Sequence, residues 1–187
     1  PPRRGGGLFA ALVLPPWGGR CFISFANTAA PPMLPNYFYN NNSSIVQTKD
    51  HVMILVEMVH DARIVRIGGQ PPPANVRQWM GDSIGRWDGD TLVIETTNFH
   101  PLQGFRGSWE NLKVTERLTR VDAQTLTYKF TVEDPTTFTS TFSGELPFRA
   151  LNEPVYEYAC HEGNYGLEGV MRGARAQEQS EQAAKKQ

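Results

Sequence analysis

The sequence predicts a mainly β fold, an antiparallel meander closing into a barrel-like, lipocalin-like sheet with an irregular N-terminal arm and a C-terminal helix. Three observations carry that expectation. From Ile45 onward, β-branched and aromatic residues recur in short runs separated by turn residues. Within the runs the apolar side chains alternate with polar ones, the two-residue period of a sheet with one wet face. After Tyr165 the period lengthens, and Leu167, Val170, Met171 and Ala174 are spaced for a helix.

Residues 1–44 form the arm. Pro15-Pro16, Gly18-Gly19, Pro31-Pro32, Pro35 and the run Asn40 to Ser44 leave no room for long regular elements. Trp17, Phe22, Phe25 and Tyr37-Phe38-Tyr39 are interleaved with them, so the arm is expected to wrap on its own domain or on a neighbouring chain.

Residues 45–165 form the β domain. Ile45 to Val59 and Ala62 to Ile67 are β-branched runs, the second ending at Gly68-Gly69. Pro71-Pro72-Pro73 interrupts the pattern, and Asn75 to Met80 suits one helical turn. Ile84 to Trp87 and Thr91 to Phe99 flank Asp88-Gly89, a strong short-range hairpin signal. Leu112 to Val121 and Thr125 to Val132 make a second hairpin around Asp122-Ala123-Gln124. Thr137 to Phe148 follows Asp134-Pro135, and Val155 to Cys160 is the last expected strand. Leu126, Tyr128, Phe130 and Val132 share one face; Leu112, Val114 and Leu118 share another, with Glu116 among them.

Residues 166–187 supply the helix and a polar tail rich in Ala, Gln, Glu and Lys. Gly166, Gly169 and Gly173 would let that helix approach another backbone closely.

Composition excludes some functions. A chain of 187 residues with 40% hydrophobic and 20% charged residues is globular and long enough for one core. The formal charge of −1 lacks the basic surface that a nucleic-acid binder needs. The longest apolar run, Leu8 to Leu14, is far shorter than the roughly 20 residues of a membrane-spanning helix. The chain opens Pro1-Pro2 without an initiator Met and reads as a mature or trimmed form from which any export signal has been removed.

Cys21 and Cys160 lie near opposite ends of the fold. Joined as a disulfide they would close almost the whole chain into one loop, worth roughly 4–5 kcal/mol in the chain-entropy account. Such a bond implies an oxidising compartment, periplasmic or extracellular. The other reading is two separate buried thiols in a cytosolic protein.

Three groups of residues are candidates for chemistry. His60 beside Asp61, and His161 with Glu162 in the segment Tyr158 to Gly166, have the groups for acid–base work. The plainer reading makes His60-Asp61 a polar turn, and makes His161, Glu162 and Asn164 caps for the final helix. Arg77, Trp79, Arg86, Trp87, Arg106 and Trp109 suit stacking on a ligand or another chain, or cover the core with their stems. No spacing typical of a metal site is present, and no nucleotide or nucleophile motif points to a cofactor.

Four motifs, together with the opening segment, resemble a family of uncharacterised exported bacterial proteins. They are Glu57 to Ile64, Arg77 to Val93 with its Gly81-Asp82-Ser83 and Gly89-Asp90-Thr91 steps, Phe105-Arg106-Gly107-Ser108, and Val132 to Thr139. The resemblance covers Arg20 to Ala176, and the stretch before Arg20 departs from it. It implies a secreted or periplasmic β-rich domain and no particular activity. The paired cysteines and the aromatic-rich arm point to an exported, disulfide-closed binding or assembly subunit of a larger complex or filament, with other protein chains, or a small ligand, as partners. The competing expectation is a small isomerase, lyase or hydrolase with His60 and His161 in the barrel mouth.

Overall fold

The computed structural model describes residues 29–35, 41–156 and 165–184. The chain divides into two units, Ser24–Tyr158 and a second comprising Pro1–Ile23 with Ala159–Gln187.

In the first unit the described residues form one eight-stranded sheet in sequence order. Its strands are β1 (Ser43–Gln47), β2 (His51–Val56), β3 (Asp61–Ile67), β4 (Asp82–Asp88), β5 (Thr91–Thr97), β6 (Lys113–Arg120), β7 (Thr125–Glu133) and β8 (Phe142–Arg149). The sheet curls into a half-barrel. Among the described residues β1 and β8 pair with no further strand, so the expected closure is incomplete there.

The expected meander holds with one correction: β3 and β4 run parallel, with Val65 opposite Ser83 and Ile67 opposite Gly85. Parallel pairing needs a crossover of about a dozen residues, and the chain from Gly68 to Gly81 supplies it. The three prolines there cannot donate to a ladder, which keeps the crossover out of the sheet. The helical turn expected at Asn75 to Met80 does not form. Instead Gln78 bridges to Phe99 and its N–H donates to Asn98 O at 3.2 Å.

Other boundaries move for local reasons. The first β-branched run breaks into β1 and β2 at Thr48, whose hydroxyl accepts from His51 N at 3.1 Å. The Asp88-Gly89 hairpin turns on Gly89 and Asp90, with Gly89 at φ 59 and Asp90 outside the positive-φ region. That is the type II′ pattern, in which glycine leads. Val155 and Tyr156, expected to open a last strand, are irregular.

The concave face carries the core. Leu92 lies opposite Leu118, which lies opposite Tyr128, and Val114 lies between Thr96 and Val132. Phe130 faces Gly144, where an added Cβ would come within 2.5 Å of the ring, so the aromatic side chain occupies space that only glycine leaves. Ala29 to Met33 of the arm is buried in the same unit, and Met33 joins the core cluster.

In the second unit, α1 (Gly166–Ala184) forms as its periodicity predicts. A Cβ at Gly169 or Gly173 would meet nothing within 4 Å among the described residues, so these residues do not show the close backbone approach expected at these glycines. No helix among the described residues is both long and apolar enough to cross a membrane.

Candidate functional site: a cleft and a buried polar network in the half-barrel

Alternation on β6 sends Val114, Glu116 and Leu118 inward together, so a carboxylate enters an apolar face. Arg63, inward on β3, meets it. Arg63 Nη1 donates to Glu116 Oε2 at 2.5 Å and Nη2 to Oε1 at 2.9 Å, with both side chains almost fully buried. Burial opposes the guanidinium charge, but the Glu116 carboxylate outweighs it and raises the Arg63 pKa above its ordinary value.

Tyr128 extends this network. Its hydroxyl donates to Glu116 Oε1 at 2.9 Å and accepts from Met33 N at 2.8 Å. Burial, and then the Glu116 charge, push the phenol well above its usual range, so it stays protonated. Ser83 and Thr96 share a hydrogen bond of 2.8 Å beside the Arg63 guanidinium. Arg63 Nε has no partner among the described residues. The network is closed to solvent and acts as an internal brace between β3, β6, β7 and the arm.

A second buried carboxylate holds a loop. Asp134 Oδ2 accepts from Ser108 Oγ at 2.5 Å and from Thr137 Oγ1 at 2.9 Å, while Oδ1 accepts from Thr136 N at 2.8 Å. Burial alone would raise its pKa; the Ser108 and Thr136 hydrogen bonds prevail and hold it well below the usual carboxylate range.

The open ground is a cleft of about 880 Å³ lined from both ends of the sheet. Ile45 of β1 and Leu55 of β2 contribute at one end, Leu126 of β7 and Leu146 and Phe148 of β8 at the other. Met33, Leu34 and Pro35 of the arm also line it. The lining is mixed, with Asn41, Ser43, Arg120, Gln124, Arg149 and Glu153 among the apolar side chains, and the volume lies in the range of small-molecule sites.

The residues singled out by sequence fall in different places. His60 ends a short 3₁₀ turn, Met58–His60, at φ 46, a left-handed conformation that costs a residue with a Cβ. It lines a smaller pocket of about 290 Å³ with Leu55, Val56, Glu57, Val155 and Tyr156. Its neighbour Asp61 opens β3 and accepts from Ala29 N at 3.4 Å, a hold on the arm. His161, Glu162, Cys21 and Cys160 lie outside the described residues, as do Trp17, Phe22, Phe25 and Tyr37 to Tyr39.

The arginine and tryptophan candidates divide. Arg77 lies over the Trp109 ring at 5.0 Å and donates to Phe99 O at 3.4 Å; Trp79 packs on His100 with ring centroids 4.2 Å apart. The Gln78–Phe99 bridge places these residues side by side on one loop pad. Arg86 and Trp87 sit elsewhere, on β4, where Arg86 pairs with Glu95 at 3.3 Å and Trp87 is 47% exposed. Arg106 stands in a tight turn at φ 51, 5.8 Å from the Phe105 ring. None of the six lines the large cleft.

Among the described residues, no three His, Cys, Asp or Glu side chains converge as a metal would require. Sequence reasoning placed Glu116 on a buried face but missed Arg63, Tyr128 and Met33 as its partners. The signal was available: Arg63 alternates with Val65, so it points the same way as a buried valine. Comparison with known families, with curated proteins and with solved structures returned no match.

Proposed function

We propose that this protein is an exported binding domain that holds an apolar ligand in the cleft between its two sheet ends. The carrying observation is the cleft itself, about 880 Å³, with an apolar stripe from β1, β2, β7, β8 and the arm set within a mixed lining. The polar network is too deeply buried to meet a substrate, so bracing the cleft wall is the role its geometry supports. Export rests on the family resemblance and on the expected pairing of Cys21 with Cys160.

Assembly through the edges of β1 and β8, unpaired among the described residues, is a second form of the same binding role. β8 is a poor template for it, because Pro147 lacks an N–H and interrupts any added ladder. β1 is short, and its edge is the better candidate for a partner strand.

Titration with a neutral apolar dye such as Nile red tests the reading. Saturable one-to-one binding to the folded protein, weakened by Ile45→Glu on the cleft wall, is expected. Absence of binding by a protein that still unfolds cooperatively overturns it. Size-exclusion with light scattering separates the two forms: a monomer that binds dye fits the ligand site, and a concentration-dependent oligomer fits assembly through β1.

A further inference from the structure

The ligand class can be narrowed by charge, an argument that rests on the cleft being the binding site. Arg120, the last residue of β6, lines the cleft. It lies opposite Leu126, which in turn lies opposite Phe148, so the three share one face. Two residues earlier on that face, Leu118 is buried in the core. The Arg120 side chain therefore stands at the end of the apolar wall and on its inner side. It is exposed and makes no hydrogen bond or ion pair among the described residues, unlike Arg63, Arg66, Arg77, Arg86 and Arg117.

Arg149 also lines the cleft, but it stands opposite Thr125 on the alternate face, and its charge acts on Asp122. Glu153 is the only acidic residue in the described lining, against two arginines. The Arg149 side chain likewise makes no hydrogen bond or ion pair among the described residues, but Arg120 alone shares the face of Leu126 and Phe148. An apolar stripe ending in a guanidinium complements an elongated molecule with an apolar body and an anionic head.

We infer that the cleft binds a free single-chain alkyl carboxylate, its hydrocarbon chain along Ile45, Leu126, Leu146 and Phe148 and its carboxylate on Arg120. A guanidinium presents paired N–H donors that match the two carboxylate oxygens, a fit an alcohol cannot make. The chain supplies most of the affinity, about fourfold per buried methylene, and the head supplies selectivity.

Calorimetric titration with dodecanoate and dodecanol, both below their aggregation limits, tests this. Dodecanoate is expected to bind about fivefold more tightly than dodecanol, the upper range for an exposed ion pair. Arg120→Gln should remove that preference by weakening dodecanoate far more than dodecanol, and added salt should weaken the carboxylate more than the alcohol. Arg149→Gln, on the other face, should change the preference less. Equal binding of acid and alcohol by the unaltered protein overturns the carboxylate assignment and leaves the cleft as an apolar site. Binding of neither overturns both readings.

Discussion

Arg63 and Glu116 meet as a two-pronged ion pair across the half-barrel, although 53 positions separate them in the chain. The pair joins β3 to β6 directly across the interior, while along the sheet β4 and β5 lie between them. Each charge is tolerable in the core only because the other is present. Removing one partner of such a buried pair costs about 3–5 kcal/mol, whereas replacing both with apolar residues of similar volume is often neutral. Glu116→Gln and Arg63→Met are each expected to lower unfolding stability within that range. The double substitution Arg63→Met with Glu116→Gln, which keeps an acceptor for the Tyr128 hydroxyl, should cost clearly less than the sum of the two single losses. Urea unfolding checks it, and additive losses in the double variant would show that the pair is not the brace described.

Tyr128 ties the arm to this brace through one hydroxyl that both donates to Glu116 and accepts from Met33 N. Tyr128→Phe leaves the Met33 amide without its partner in a buried setting. A buried donor stranded in this way costs about 1–3 kcal/mol. The telling measurement is hydrogen exchange: the Met33 amide should lose protection, while amides of the β6–β7 ladder keep theirs relative to global stability. Uniform loss across the sheet would mean the arm is not held locally by this bond.

Much of the fold was legible because the period-two signal is local. Tyr128, Phe130 and Val132 are buried as their alternation predicts, and Glu116 sits among buried leucine and valine as its position in β6 requires. The parallel β3–β4 pairing was not legible, since Gly68-Gly69 resembles a tight hairpin turn and nothing local tells a crossover from a return. The cleft was hidden for a related reason. Its wall joins residues from near Ile45 to residues near Phe148, a proximity created only when the sheet curls. Arg120 carried no motif, and its interest lies in what surrounds it and in its having no partner among the described residues.

Asp134 gives the domain a predictable acid response. Its folded pKa is depressed by hydrogen bonds from Ser108, Thr136 and Thr137, so it stabilises the fold above its unfolded value of about 3.9. That contribution is lost as pH falls from about 4 toward the lower folded value, because the unfolded chain takes up the proton first. Asp88, lowered by its hydrogen bond to Arg117, and Asp122, lowered by the Gln124 amide, respond in the same direction. Comparison with Asp134→Asn therefore isolates the buried group from this background. The variant is expected to be about 1–3 kcal/mol less stable at pH 7, where it lacks the charged acceptor. The gap should narrow below pH ~4 as the unaltered protein loses its advantage and the amide, which does not titrate, loses nothing. Denaturant unfolding at a series of pH values from 7 to 2.5 measures both curves. A gap that stays constant across that range would show that the Asp134 hydrogen bonds contribute as neutral contacts and not through the charge.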